Sequence, residues 1–302
     1  MKTLALSGGT GFVGGEAIKI ALREGWTVRA LARQPQAPLE GVTWVAGALD
    51  NPASLAELVT GAQAVIHIAG VVNAPDRNGF AAGNIDGTSA LIEAARAAAI
   101  KRFIHVSSLT AREPELSNYG WSKAESERIV AASGLDWTIV RPPAVYGPRD
   151  ADMVDLFRMA QWGFVMTPPV GRMSVIEVGD LAALLVALAS ANDTVGQLYE
   201  VDDGVPNGWT HSAYANAIGM ALGKNVWPLA APEWLLRFAS RMDRLVRGRK
   251  AKLTADRVGY FCHPDWVIDP AKRPPTSLWV PRIVTRAGLK QTANAYRQAG
   301  WL

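Results

Sequence analysis

The fold of this 302-residue chain is decided close to its first residues by a glycine-rich stretch, Ser7-Gly8-Gly9-Thr10-Gly11-Phe12-Val13-Gly14. The apolar residues 2–6 before it predict a strand, and residues 11–24 after it have apolar side chains at helical spacing. Glycines at every third position allow a tight turn, close approach of a phosphate to the backbone, and close packing of the helix on the strand. The stretch therefore predicts a dinucleotide-binding turn. Its position between a strand and a helix disfavours the alternative, a glycine-rich turn that binds nothing.

Short β-rich runs alternate with helical segments through the first 145 residues. Further strands are predicted at 27–31, 42–45, 64–68, 102–106 and 137–140, and further helices at 86–99 and 117–132. Such alternation implies crossover units and a parallel sheet covered by helices on both faces. The predicted fold class is α/β, a Rossmann-type doubly wound parallel sheet.

After Pro142 the pattern is less regular. Helices are predicted at 153–162 and 180–190 and a strand at 197–201, with helices and loops from Pro206 onward. We expect a dinucleotide-binding domain formed by residues 1–145 and about 174–203. A smaller, mostly helical C-terminal substrate lobe would be formed by about 146–173 and by 204–302.

Composition limits the class of protein. Apolar residues make up 49% of the chain and charged residues 19%, and Cys262 is the single cysteine. These values exclude a disordered, a collagen-like or a disulfide-stapled chain. The apolar run at 181–189 is far shorter than the ~20 residues of a membrane-spanning helix, and the signal-peptide pattern is missing. We therefore expect a cytoplasmic protein.

A serine pair, a tyrosine and a lysine have the residue types of a proton-transfer site. Tyr119 and Lys123 are four apart at the start of a predicted helix, so both lie on one side of it. An ammonium near a phenol favours the phenolate, which allows the tyrosine to act as acid or base near neutral pH. Ser107 and Ser108 close the preceding strand at its C-terminal end, where ligands bind in open parallel sheets.

The end of the second strand bears on the choice of cofactor. An acidic residue there favours NAD, and an arginine accommodates the 2′-phosphate of NADP. The strand ends in Arg33, and no acidic residue follows before Glu40. This predicts NADP (NADPH), with NAD as the second choice. The alternative is that Arg33 is only a surface charge.

Four further segments accompany these motifs: Val65-Ile66-His67-Ile68-Ala69-Gly70, Asn84-x-x-Gly87-Thr88, Arg141-Pro142-Pro143-Ala144-Val145-Tyr146-Gly147-Pro148 and Val178-Gly179-Asp180-Leu181-Ala182. Together with the glycine turn, the serine pair and Tyr119-Gly120-Trp121-Ser122-Lys123, they resemble the extended short-chain dehydrogenase/reductase family, within the NAD-dependent epimerase/dehydratase-like superfamily. The resemblance covers residues 1–205 well and the remainder loosely.

The resemblance implies roles for these residues. Tyr119 would be the general acid/base, Lys123 would lower its pKa and hold the nicotinamide ribose, and Ser108, rather than Ser107, would polarise the substrate carbonyl. The residues implied along the cofactor are Gly8, Thr10, Gly11, Phe12, Val13 and Gly14 at the pyrophosphate, Ala69 and Gly70 beneath the cofactor, and Pro142 to Val145 beside the nicotinamide.

Two features depart from the family pattern. Relatives often carry Gly-Asp-Leu or Gly-Asp-Val after the third strand, where the Asp contacts the adenine. This chain has Gly47-Ala48-Leu49, and Asp50 comes two places late. The interval from Ser108 to Tyr119 is 11 residues, which is short for the family and leaves less wall around the substrate.

The segment Arg141-Pro142-Pro143-Ala144 looks more like reductases and hydroxysteroid-dehydrogenase-like members than like sugar-nucleotide enzymes, whose nucleotide-binding Asn is missing. Aromatic and methionine side chains of the second lobe suit an apolar carbonyl or alcohol substrate. The alternative is that these side chains form the core of the lobe. We therefore predict an NADP-linked enzyme that transfers hydride between nicotinamide and that substrate. An epimerase or isomerase with tightly bound NAD(P) remains an alternative. So does a non-catalytic NADPH-binding subunit of a larger complex, like an accessory subunit of respiratory complex I. A monomer or a homodimer is expected.

Charge is distributed unevenly along the chain. Residues 1–230 have a net charge of −5 and residues 231–302 of +9. The basic residues within 237–252 are Arg237, Arg241, Arg244, Arg247, Arg249, Lys250 and Lys252. The first four are three or four apart and form one stripe on a predicted helix. The stripe predicts either a solvated face of the second lobe, or a peripheral contact with an anionic membrane or an acidic partner.

Two other classes of site are not expected. No nucleic-acid-binding module surrounds the basic stripe, so no nucleic-acid partner is predicted. The histidines and the single cysteine lack the spacing of metal ligands, so we predict no metal. His67 and His105 lie on apolar strands and are interpreted as core or supporting histidines.

Overall fold

The computed structural model describes residues 2–248 and 251–302. Its strands are β1 (Lys2–Ser7), β2 (Trp26–Ala32), β3 (Val42–Ala46), β4 (Ala64–His67), β5 (Arg102–Val106), β6 (Asp136–Arg141), β7 (Ala144–Tyr146), β8 (Phe164–Thr167), β9 (Arg172–Met173), β10 (Val175–Glu177), β11 (Gln197–Glu200), β12 (Trp209–Thr210), β13 (Trp227–Ala230) and β14 (Asp265–Trp266). Its helices are α1 (Phe12–Arg23), α2 (Pro52–Val59), α3 (Arg77–Phe80), α4 (Gly87–Ala97), α5 (Asn118–Ala131), α6 (Val154–Gln161), α7 (Val178–Leu188), α8 (His211–Ala221), α9 (Glu233–Arg247), α10 (Ala255–Phe261) and α11 (Thr285–Gln298).

The chain folds into two units. The first comprises Met1–Arg141, Leu181–Glu200 and Lys272–Val280, and the second Pro142–Asp180, Val201–Ala271 and Pro281–Leu302. The assignment of the first unit to the cofactor and the second to the substrate stays a prediction.

The first unit contains a seven-stranded sheet in the order β11-β6-β5-β4-β1-β2-β3, and all neighbouring strands are parallel. Every residue of β4 and β5 is buried, which is expected of parallel strands covered on both faces. The predicted α/β fold class is therefore confirmed. The order reverses between β1 and β4, and in open sheets ligands bind outside the carboxyl ends of strands at such a switch point.

The second unit is built from short strands and helices. β7 pairs with β10, β8 pairs with β13, and β9 lies between β12 and β14. A core that includes Phe157, Tyr214, Leu289 and Tyr296 packs between α6, α8 and α11.

Three parts of the structure differ from the sequence prediction. The helix α2 was not predicted, although Asn51 caps it by accepting from the backbone N–H of Ser54 and Pro52 begins it, a pattern typical of helix starts. The helix expected at 86–99 is preceded by α3 and by a π-helical turn, Ala81–Asp86. The strands after Pro206 are two to four residues long, too short to show a periodic pattern.

The helix predicted for the basic stripe is present as α9, and Arg249 and Lys250 lie outside the described residues. Within the part of the chain that the structure describes, no helix is both long enough and apolar enough to cross a bilayer.

Candidate functional site

The glycine turn joins β1 to α1 at the switch point of the sheet. Gly8 has φ +80°, and a Cβ there would lie 2.7 Å from the backbone nitrogen of Ala69. A Cβ on Gly14 would overlap the carbonyl oxygen of Gly8, and the backbone N–H of Gly11 donates to that oxygen at 3.0 Å. The turn and the helix are packed backbone to backbone, so alanine does not fit at either position.

The N-terminus of α1 is suited to an anion. Gly11 precedes the helix and offers no side-chain cap, and both Thr10 and Gly11 are exposed. The first N–H groups of a helix have no partner within it, and the positive end of the helix dipole lies there. Phe12 and Val13 are half-buried in this first turn. This cradle, which has no room for a Cβ on Gly8 or Gly14, fits the pyrophosphate of a dinucleotide.

A buried chain of hydrogen bonds supports the backbone at Ala69. The Thr88 hydroxyl donates to the Asn84 carbonyl at 2.6 Å, so Nε2–H of His67 donates to Thr88 at 2.9 Å. Burial lowers the pKa of His67 to about 3, with a smaller effect of the Lys123 charge, so the ring is neutral. Its Nδ1 then accepts from the Ser7 hydroxyl at 2.6 Å, and Ser7 accepts from the Ala69 N–H at 3.2 Å.

Asn84 links the backbone of Val71 to α5, the helix that carries Tyr119. It lies buried in the π-helical turn, where its Oδ1 accepts from the Val71 N–H at 2.7 Å. Its Nδ2 donates to the Val71 carbonyl and to Ser122 Oγ, each at 2.9 Å, and Ser122 donates to the Tyr119 carbonyl at 2.8 Å. The motif Asn84-x-x-Gly87-Thr88 marked this residue in the sequence, but no site role was predicted for it.

Tyr119 and Lys123 lie on the first two turns of α5. The Ser117 hydroxyl caps this helix by accepting from the Gly120 N–H at 2.9 Å. Tyr119 is half-buried, and its ring lies 6.2 Å from that of the buried Phe80.

Lys123 is buried at the carboxyl end of β5. Its Nζ donates to the Val106 carbonyl at the end of β5, at 2.8 Å, and lies 3.8 Å from the position a Cβ on Gly70 would take. Burial lowers the pKa of Lys123 to about 8, and the nearby charge of Glu127 opposes that shift. The lysine is therefore cationic at neutral pH and is close to Gly70.

The two serines after β5 have different environments. The Ser107 hydroxyl is buried and donates to Glu127 at 2.5 Å. Ser108 is half-buried, and its Oγ accepts from the N–H and the hydroxyl of Thr110, at 3.2 and 2.8 Å. The proton of the Ser108 hydroxyl thus remains available for a carbonyl oxygen, whereas that of Ser107 is already used.

Glu127 also anchors α5 to β6. Arg141 binds both of its carboxylate oxygens, at 2.8 and 2.6 Å, and reaches Glu200 at 3.4 Å. All three side chains are largely buried, and Lys272 approaches Glu200 at 3.5 Å. In the sequence Arg141 stands out only as part of a motif, and no role was predicted for Glu127. A carboxylate one helical turn after Lys123 was the available signal.

The remaining predicted residues belong to other segments of the chain. Arg33 follows β2 directly and is exposed, and Asp50 is exposed beyond β3. Pro142 is buried and Val145 is half-buried in β7, and both belong to the second unit. Their expected place beside the nicotinamide stays a prediction. Among residues 2–248 and 251–302, no group of three His, Cys, Asp or Glu side chains could hold a metal ion.

Comparison with known proteins places these features in a family. A family model described as NAD(P)H-binding matches residues 8–191. A ceramide reductase of Caulobacter vibrioides is 35% identical over 309 residues, which cover 99% of this chain and 96% of the relative. A UDP-glucose 4-epimerase of Vibrio cholerae is 24% identical over 99% of this chain and 96% of the relative.

Solved structures have the same fold. The enzyme WbmH of Bordetella bronchiseptica, in complex with NAD+, has a TM-score of 0.75 at 20% identity, covering 99% of this chain and 100% of that chain. The relatives of this chain include NAD(P)-dependent reductases and epimerases. The chain belongs to the NAD(P)H-binding, extended short-chain dehydrogenase/reductase family.

Proposed function

We propose that the chain is an NADPH-dependent reductase that converts a ketone into a secondary alcohol on a long-chain lipid of the ceramide class. The observation that carries the proposal is the 35% identity to a ceramide reductase along 99% of the chain. It is supported by an intact set of Ser108, Tyr119 and Lys123 and by the apolar substrate that the sequence predicts.

The residues of the first unit would hold the cofactor. The glycine turn and the N-terminus of α1 would bind the pyrophosphate, and Arg33 would face the 2′-phosphate. Lys123, at the backbone of Gly70, would bind the nicotinamide ribose. When bound, the cofactor supplies a hydride, which reaches the carbonyl carbon of the substrate.

The protein supplies the proton. Ser108 would donate a hydrogen bond to the carbonyl oxygen and polarise it, which costs little because no group in the described part of the chain accepts its own proton. As the hydride arrives at carbon, the Tyr119 hydroxyl would give its proton to that oxygen and complete the alcohol. The Lys123 cation would stabilise the resulting phenolate until solvent returns the proton.

An epimerase is the second candidate, since the chain also aligns along 99% of its length with a UDP-glucose 4-epimerase. The two reactions differ in their use of cofactor. A reductase consumes one NADPH per product, whereas an epimerase returns its cofactor unchanged.

One assay tests the proposal. The purified chain is incubated with NADPH and either a long-chain N-acyl amino ketone or UDP-glucose. We expect loss of absorbance at the nicotinamide band and a stoichiometric alcohol product with the lipid only. Isomerisation of the UDP-sugar without loss of NADPH would contradict the reductase and favour the epimerase.

A further inference from the structure

Helix α9 of the second unit exposes an apolar face to solvent. Trp234, Phe238, Met242 and Leu245 follow one another at intervals of four, four and three residues, so they share one side of the helix. Trp234 is 69% exposed, Phe238 57% and Leu245 78%. Large apolar side chains grouped in this way mark an interaction surface rather than a solvated face.

The opposite side of α9 packs on the protein. Leu236 and Ser240 are buried, and Leu236 packs with Ala231 and Val258. Asp243 accepts from the backbone N–H groups of Lys252 and Leu253, at 2.8 and 2.9 Å. The exposed face is therefore not a frayed or misplaced core, since the helix is held from its other side.

Arginines border the apolar face. Arg237 and Arg247 form ion pairs within the helix, with Glu233 and Asp243. In the described part of the chain, Arg241 and Arg244 form none. Arg241 is three residues after Phe238 and four before Leu245, which places its charge at the edge of the apolar face.

The strand that leads into α9 extends the apolar character. Trp227 and Leu229 of β13 are exposed and alternate, so they point to the same side of that strand. Tryptophan is enriched where protein meets the headgroups of a bilayer.

We propose that α9 docks the protein on an anionic phospholipid bilayer. The apolar face would enter the boundary between headgroups and acyl chains, and Arg241 and Arg244 would contact lipid phosphates. A stripe of large, strongly exposed side chains suits insertion into this boundary better than it suits docking into a groove on another protein. The proposal goes beyond the reaction and is tested without substrate.

Co-sedimentation of the full chain with vesicles is the test. We expect binding to phosphatidylcholine vesicles that contain phosphatidylglycerol, weaker binding to phosphatidylcholine alone, and release at high salt. Phe238→Ser/Leu245→Ser should bind at least about tenfold more weakly. Leu39→Ser/Val284→Ser, which changes two exposed apolar side chains elsewhere, should bind like the wild type.

The charge is tested in the same way. Arg241→Gln/Arg244→Gln should lose the preference for anionic vesicles, whereas Arg286→Gln/Lys290→Gln, an equal charge change on α11, should keep it. Brominated lipids should quench the fluorescence of the wild type more than that of Trp234→Phe. A wild type that stays in the supernatant with both vesicle types overturns the proposal, as does equal binding by the α9 variants. If the wild type binds no vesicle but binds an acidic protein, the surface is a protein interface instead.

Discussion

The ammonium of Lys123 donates to the carbonyl oxygen of Val106 at 2.8 Å, so the cation is fixed at the carboxyl end of β5. Burial there lowers its pKa to about 8. The positive charge of Lys123 is thus present at neutral pH and is lost as the pH rises through that value.

This relationship predicts an alkaline limb in the pH profile of activity. The lysine is charged below its pKa, so kcat/KM for ketone reduction should fall as the pH rises past about 8. In Lys123→Arg the cation does not titrate in this range, so any remaining activity should persist to higher pH. A wild-type profile that is flat from pH 7 to 10 would show that the charge of Lys123 is not needed.

Removal of the Glu127 carboxylate should lower both stability and the pKa of Lys123. Glu127→Gln removes the bidentate carboxylate of the buried Arg141 and leaves it only the longer contact with Glu200, at 3.4 Å, which should cost about 3 kcal/mol of unfolding free energy in urea titrations. Because Glu127 raises the pKa of Lys123, the alkaline limb should move to lower pH.

The double variant Glu127→Gln/Arg141→Met is the control for this pair. Removing both partners should cost less than the sum of the two single changes, since no unpaired guanidinium remains. Strictly additive losses would mean that the two side chains do not stabilise each other.

The glycine turn offers a matched pair of substitutions for cofactor binding. Gly8 and Gly25 have φ of +80° and +81°, so alanine pays about 1–2 kcal/mol for a left-handed backbone at either one. A Cβ on Gly8 meets the Ala69 backbone, whereas a Cβ on Gly25 meets nothing within 4 Å. Gly8→Ala should therefore lose NADPH binding in fluorescence titrations, and Gly25→Ala should keep it. Equal affinity of the two variants would contradict the cradle described above.

Arg33 should decide between the two nicotinamide cofactors. A charged hydrogen bond to the 2′-phosphate is worth about 1.5–3 kcal/mol, so Arg33→Ser should weaken NADPH about 10- to 100-fold and leave NADH unchanged. Arg23→Ser, at the exposed C-terminal end of α1, serves as the control for a general loss of charge. If Arg33→Ser weakens both cofactors equally, Arg33 does not read the phosphate.

Local sequence signals were enough to predict the fold and to select the candidate residues of the site, whose roles stay a prediction. The glycine turn, Ser108, Tyr119 and Lys123 each stand in a short motif, and strand–helix alternation predicts the parallel sheet without any long-range information. The supporting contacts have no such signal. Asn84 bonds to Ser122 across 38 residues, which depends on how the π-helical turn packs on α5. Lys123 bonds to Val106 across 17 residues, which depends on how α5 packs on β5.

For the basic stripe too, the sequence predicted the helix but not how the helix packs. Spacing alone predicted a helix with four arginines along one side, namely Arg237, Arg241, Arg244 and Arg247. Whether the apolar residues beside these arginines were core or surface depended on tertiary packing, which buries Leu236 and leaves Phe238 exposed.

Isotope transfer tests the central claim most directly. The chain is incubated with NADPH that carries deuterium at the transferable C4 position and with a long-chain N-acyl amino ketone, and the product is analysed by mass spectrometry. We predict one deuterium on the new carbinol carbon, and a rate about 100- to 10,000-fold lower in Tyr119→Phe, with Tyr199→Phe as the control. A product without deuterium, or an undiminished rate in Tyr119→Phe, would contradict the account.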